Sequence, residues 1–430
     1  MKILVLANNC FAKNNSNGRI LGCLFKHFNP DDVYQFYTAQ GANDWSVCSH
    51  YYMVTDKMVI RSLYSRKGIG ECPERSQKQA QIAKISEMRA RFGKSYPTML
   101  IRDMLWGLYT WWTKQFDEWL EQTQADVIVL QCGDAAFMYR IARRVAKKLN
   151  KPLVLFNTEC YYFYKDSWLG ENVNTFGFHL VRHRLHKAID KLMPIVEMSV
   201  YNSEYLRSLY QTKFRRPSTF IYQSSDYSAK YCPTPAARQM SIPPKIAYIG
   251  NLGLGRHEAL MGIASALHTI NPRNVLQVYG LASDEVEKQF RQTAGLYYGG
   301  VISYNEVVDK LKDSDILVMA ENSDPYYAHT VQYGFSTKIT DYLFTGKPIF
   351  AYGPADNTGM AYLRDHQAAM VVSDKTALVQ SLTQLLTDQA LRERIVGNAL
   401  SLATQNHDAD KNAEKLKSII QSVMTSNNVS

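Results

Sequence analysis

Short apolar runs bounded by turn residues alternate with longer helical stretches along the whole chain, and this alternation limits the fold most. In the first half the runs are KILVLA (2–7), ADVIVLQC (125–132), PLVLFNT (152–158) and IVEMSVYNS (195–203). The second half adds KIAYIGN (245–251), NVLQVYG (274–280), DILVMAE (315–321), PIFAYG (348–353) and AAMVVS (368–373). Runs this apolar suit strands covered on both faces, and helical stretches between them imply parallel sheets. A segment with four prolines, CPTPAARQMSIPP (232–244), separates the two sets and reads as a linker. At 430 residues the chain exceeds one typical core. The expectation is α/β: two doubly wound domains, 1–235 and 245–405, and an amphipathic helix over 406–430 free to pack back on the first. Open α/β sheets bind ligands at the carboxyl ends of their strands, so a site facing a central cleft is expected.

A hydrophobic content of 46% suits packed cores and excludes a disordered chain. The seven cysteines show no CxxC and no paired spacing, which argues for a reducing compartment and against a disulfide frame or structural zinc. The opening run MKILVLANNC is too short for a signal-peptide core and reads as a first strand. Nowhere does an apolar run approach twenty residues, so a cytoplasmic location is expected.

The net charge of +10 is unevenly spread. Between Ala135 and Lys151, the residues Arg140, Arg143, Arg144, Lys147, Lys148 and Lys151 recur at helical spacing opposite Ile141, Val145 and Leu149. Such a stripe is either a solvated outer face or a weak hold on the anionic inner face of a membrane, each cation contributing about 1 kcal/mol. No nucleic-acid motif accompanies it, so nucleic acid is not an expected partner. The stretch 99–120 holds four of the six tryptophans and reads as one helix. Ile101, Leu105, Leu108, Trp112 and Phe116 form its core stripe, with Tyr109 and Trp111 off it.

Candidate site residues fall at strand ends. Glu159 closes PLVLFNTE, with Tyr161, Tyr162 and Tyr164 behind it, where it would orient or deprotonate an acceptor hydroxyl. Asn17, Gly18 and Arg19 follow the first strand in a polar loop. His183 and His186 read as surface residues. Gly250, Gly253 and Gly255 mark a strand-to-helix turn that lets backbone approach a phosphate, and Arg256 follows at once. The spacing is not GxGxxG, and the next strand ends without a carboxylate, so a nicotinamide cofactor is disfavoured. Glu321 ends DILVMAE, ahead of a polar loop, where it would bind sugar hydroxyls or balance an oxocarbenium charge. In FSTKITDYLFTGKPIFAYGP (335–354), Ser336, Thr337 and Lys338 open a helix and Asp341 lies one turn on. That arrangement suits a nucleoside diphosphate, with phosphate on the amides and Lys338 and ribose on Asp341, but an ordinary N-cap has the same appearance.

The second half resembles the donor-binding domain of GT-B glycosyltransferases, family 4-like group. The likeness rests on IGNL (249–252), the 335–354 block and LTDQALRERIVGNALSLATQNHD (386–408). More loosely, the first half is similar to the acceptor domain through NSNGRILG, ADVIVLQCGD and YNSEYLRSLY. The resemblance implies two Rossmann-like domains and retaining transfer from a nucleotide-diphosphate sugar to a saccharide or polyprenyl-linked acceptor, in cell-surface polysaccharide synthesis. It implies no metal and no cofactor beyond the donor. Arg256 and Lys338 would hold the diphosphate, with Gly253 and the Ser336 and Thr337 amides beside them. Asp341 would contact the ribose, and the 17–19 loop would face the phosphates. Two positions depart from the family pattern: Tyr333 stands where its motif has an acid, and Asn251 where its glycine turn has an arginine. A non-catalytic nucleotide-sugar-binding or scaffold protein and a GT-B epimerase are the competing readings.

Overall fold

The computed structural model describes residues 1–12, 16–75, 95–165, 167, 169, 175–224 and 240–427. They form two compact units, Met1–Tyr222 with Ala409–Ser430, and Gln223–Asp408. The first is built on a sheet of β1 (Ile3–Asn9), β2 (Val33–Ala39), β3 (His50–Met53), β4 (Val127–Gln131), β5 (Leu153–Asn157), β6 (Val196–Tyr201) and β7 (Ser218–Phe220). Its order is β3-β2-β1-β4-β5-β6-β7. The second unit holds β8 (Lys245–Ile249), β9 (Val275–Tyr279), β10 (Leu296–Tyr298), β11 (Ile316–Ala320), β12 (Ile349–Tyr352) and β13 (Met370–Val372). Their order is β10-β9-β8-β11-β12-β13. The strand pairs in both sheets are parallel. Each order reverses once, between β1 and β4 and between β8 and β11, and such switch points open a crevice at the carboxyl ends of the strands.

The apolar runs account for nine of these strands; β2, β3, β7 and β10 lie outside them. β2 (VYQFYTA) is interrupted by Gln35 and Thr38, both fully buried. The Gln35 side chain accepts from Phe11 N–H at 2.9 Å and donates to the Asn9 carbonyl at 3.3 Å, so its burial is compensated. β7 and β10 have three residues each and are only partly buried, too short to show a pattern.

The helices that bear on function are α1 (Ser16–Phe25), α2 (Tyr96–Gly107), α3 (Lys114–Thr123), α4 (Ala136–Leu149), α5 (Thr175–Leu192), α6 (Arg256–Ile270), α7 (Thr337–Leu343) and α8 (Ala409–Asn427). The terminal helix α8 belongs to the first unit, where Leu416, Ile420 and Val423 join its core. The second unit begins at Gln223 and ends at Asp408. His407 is fully buried, and its ring meets the Gln223 carbonyl at 2.7 Å and the Tyr362 hydroxyl at 2.9 Å. Burial pushes its pKa down to about 4, so it stays neutral. Residues 225–239, which include most of the proline-rich segment and Cys232, lie outside the described residues.

The aromatic stretch corrects the sequence expectation. It is two helices, α2 and α3, broken at 108–113, where Tyr109 takes a positive φ of 56°. The supposed core stripe is partly a surface: Ile101 is 58% exposed and Leu108 60%. Trp111, off the stripe, is fully buried and stacks on Phe36 with centroids 5.7 Å apart. The break rotates the residues after it, so a single helical period cannot sort inside from outside.

Candidate functional site

The second unit gathers charge at its switch point. β8 ends at Ile249 and the chain turns through Gly250, with φ +152°. A Cβ there would stand 2.7 Å from Lys338 Cδ, so only glycine leaves room for that side chain. Lys338 arrives from α7, which is pinned to the same strand end: Tyr342 OH accepts from Ile249 N–H at 3.2 Å and lies 3.4 Å from its carbonyl. Lys338 Nζ donates to Tyr248 OH at 3.1 Å and lies 4.8 Å from that ring's centroid. Tyr248 OH in turn donates to the Asn251 carbonyl at 2.5 Å. Burial and the Arg256 charge push the Lys338 pKa down to about 7, against a smaller opposing pull from Glu321.

Arg256 opens α6. Its guanidinium faces the Glu321 carboxylate at the end of β11, with Nη2 donating to Oε1 at 3.1 Å and Nε 2.8 Å from Oε2. The second contact is an ion pair without hydrogen-bond alignment. The two side chains are 11% and 5% exposed. Nη1 also donates to the Gly253 carbonyl at 3.2 Å, and Gly253 N–H donates to Asn251 Oδ1 at 2.7 Å. Gly255 begins α6 in the left-handed region, φ 68°, with no side-chain cap. The next residue of β11's end, Asn322, donates to the Gly255 carbonyl at 3.1 Å and to Glu258 Oε2 at 3.0 Å. A Cβ on Gly255 would stand 2.2 Å from the Asn322 amide nitrogen. β11 therefore fixes where α6 starts, and with it Arg256.

Glu321 stands at the strand end where the sequence places it, with its carboxylate against Arg256. The polar segment after it contains a helix, Pro325–Val331. α7 has only seven residues and its Ser336 makes no side-chain cap bond, so Lys338 supplies the charge there. Ser336, Thr337 and Asp341 are half-buried on this helix.

The first unit's switch point carries a different site. A cavity of about 660 Å³ is lined by Asn8 and Asn9 from β1, Gln131 and Asp134 after β4, and Thr158 and Glu159 after β5. Burial, with the charge of Asp134, raises the Glu159 pKa to about 7. Tyr161 and Arg184 complete part of the wall. Gly18 and Arg19 are not in a loop but in the first turns of α1. The Asn17 side chain and residues 13–15 lie outside the described residues. Tyr248, Asn322 and Asp134 escaped the sequence reading. The sequence singles out Gly250 as a turn glycine, though not as the seat of the Lys338 side chain.

Among the described residues no group of three or more His, Cys, Asp or Glu side chains is placed to hold a metal ion. None of the described helices is long and apolar enough to cross a membrane.

No family model and no curated protein matches the sequence. Solved structures do match. Anabaena HepE in complex with UDP shares 12% identity over 98% of this chain and 100% of its own, at a TM-score of 0.64. Sucrose-phosphate synthase from Thermosynechococcus elongatus shares 10% over 99% and 100%, at 0.63. The UDP-forming α,α-trehalose-phosphate synthase of Burkholderia xenovorans, in complex with glucose-6-phosphate, shares 9% over 97% and 100%, at 0.57. At these identities the likeness establishes architecture, and the fold of this chain is that of the GT-B glycosyltransferases.

Proposed function

We propose that this chain is a glycosyltransferase that moves a sugar from a nucleoside-diphosphate donor to a saccharide or polyprenyl-linked acceptor. The observation that carries the reading is the pairing of Arg256 and Lys338 around a glycine turn at the second switch point. A leaving diphosphate gains charge as the anomeric bond breaks, and fixed cations stabilise that charge without reorganising. Lys338, with its pKa near 7, gains its full charge when a diphosphate arrives beside it. Arg256 is held in place by Glu321, which we assign a positioning role.

In the proposed reaction the bond from the anomeric carbon to the phosphate oxygen breaks while the acceptor oxygen bonds to the same face. The acceptor's proton passes to the leaving diphosphate. The configuration is retained, and two cations make a divalent metal unnecessary. Asp341 would contact the donor ribose. Glu159 would orient the acceptor hydroxyl in the first unit's cavity. Cell-surface polysaccharide synthesis in the cytoplasm is the setting proposed. The HepE and trehalose-phosphate synthase complexes, with UDP and glucose-6-phosphate, make UDP the first nucleotide to try.

The test is a thermal-shift panel of UDP, GDP, ADP and dTDP on the natural chain and Lys338→Ala, followed by a transfer assay with the matching nucleotide sugar and chelator present. A ligand that binds the folded state raises the melting temperature by mass action. Stabilisation by one diphosphate, lost in the variant, and a product with retained anomeric configuration are expected. Absence of any shift would defeat the donor site. A shift without transfer to any acceptor would leave only a binding protein.

A further inference from the structure

A second charged region of the first unit adjoins the acid cavity, whose wall includes Asp103 and Arg184. Asp103 of α2 is buried, and its carboxylate accepts from Arg140 Nη2 of α4 at 2.8 Å and from Arg184 Nε of α5 at 2.5 Å. One acid thus ties three helices together, and between them runs an open groove of about 850 Å³. Beyond the two arginines spent on Asp103, the groove is lined by Arg143, Arg144, Lys147, Lys187 and Lys191. Lys148, on the same helix, faces elsewhere and pairs with Asp117 and Glu121. Among the described residues Arg143, Lys147, Lys187 and Lys191 take part in no ion pair, and Arg143 Nε is buried without a hydrogen-bond partner.

An apolar row borders this charge. Met104 of α2 and Leu108 just past its end line the groove and are each 60% exposed. Along α5, Phe176 (71% exposed) and Leu180 share the stripe that continues through Lys187 and Lys191 at helical spacing. A soluble polyanion would use the cations and leave the apolar row in water. A membrane surface uses both, phosphates on the lysines and arginines, side chains in the acyl boundary.

We propose that this three-helix face docks on a lipid surface bearing anionic phosphate headgroups. Arg184 belongs to the walls of both the groove and the acid cavity, so docking sets headgroup phosphates beside that cavity. The proposal is independent of the donor chemistry.

The test is co-sedimentation of the full chain with phosphatidylcholine vesicles and with vesicles containing about one-third phosphatidylglycerol, at low and high salt, with inorganic polyphosphate as competitor. Binding to the anionic vesicles alone, weakened by salt, is expected. Lys147→Gln, Lys187→Gln and Lys191→Gln together change only exposed groups and should lower partitioning at least tenfold, since each near-surface cation is worth about a fivefold gain. Met104→Ser with Leu108→Ser should lower it about tenfold as well. Both variants should keep the natural melting temperature and any nucleotide-induced shift. Equal binding to both vesicle types, or an unaffected triple variant, overturns the proposal. So does tight binding of polyphosphate combined with an unaffected Met104/Leu108 variant, which makes the groove a seat for a soluble polyanion.

Discussion

At its switch point the first unit places two acids, Asp134 and Glu159, around a cavity, whereas the second places two cations, Arg256 and Lys338, around a glycine turn. The topology is the same, and in both units the sheet order reverses beside the first strand. What differs is how each charge is housed. Arg256 has a counterion in contact, so its burial is compensated; Lys338 has a hydroxyl and a ring face, and Glu159 has an acid for a neighbour. The parallel sheet therefore supplies positions, and the sign and cost of the charge come from single side chains at strand ends. One unit carries a half-buried acid and the other a half-buried base, which makes the contrast measurable.

The largest effect should follow from removing the one compensation present. Glu321→Ala leaves Arg256 buried without its partner, and breaking such a pair costs about 3–5 kcal/mol. Chemical denaturation should show that loss. UDP should then stabilise the variant more than the natural chain, because the diphosphate replaces the missing carboxylate. If the variant loses stability but gains nothing extra from UDP, Arg256 does not face the nucleotide.

Next come two substitutions with opposite pH signatures. Lys338 has a folded pKa of about 7, below its unfolded value, so its charged form penalises the fold fully below pH 7. That penalty is relieved as pH rises from 7 towards 10.5. Lys338→Met should therefore stabilise the unliganded protein by on the order of 4 kcal/mol at pH 6, with little gain at pH 10. Glu159 is raised to about 7, so its penalty is absent below pH 4.5 and complete above pH 7. Glu159→Gln should add on the order of 3 kcal/mol at pH 8 and almost nothing at pH 4.5. Denaturation midpoints against pH for the two variants should run in opposite directions. Parallel curves would erase the distinction between the units.

The frame of both units was legible because apolar runs covered on both faces have no other common use. The missing strands show the limit. β2 hides two polar residues whose partners lie far away in sequence, Phe11 and Asn9 for Gln35 and Asn8 for Thr38. Of the second site, Arg256, Lys338 and Glu321 were each visible as charges at strand or helix ends. Their pairing was not, because 65 residues separate Arg256 from Glu321 and 90 separate Lys338 from Tyr248. Asn322 reads as one more polar residue until the backbone of Gly255 is brought against it. The aromatic stretch was misread for two reasons: periodicity finds the row of Ile101 and Leu108 but not whether a neighbour covers it, and the break at Tyr109 lets Trp111, off that row, turn inward.

The smallest effect tests whether Lys338 meets the diphosphate at all. In the free protein Lys338 is about half charged near pH 7. A diphosphate beside it favours the ammonium and raises that pKa, so binding takes up a proton wherever pH lies between the free and bound values. Above about pH 7.5, where the terminal phosphate of UDP is itself fully ionised, UDP affinity should fall by up to about tenfold per unit until the bound-state pKa is reached. Titration calorimetry between pH 7.5 and 9, in buffers of different ionisation heat, reads both the affinity and the proton uptake. Arg256 stays charged throughout, so the lysine alone in this cation pair supplies the slope. Lys338→Arg, charged at every pH in that range, should bind UDP without proton uptake. A natural chain whose UDP affinity is level from pH 7.5 to 9 would separate Lys338 from the phosphates and leave Arg256 as the contact to test.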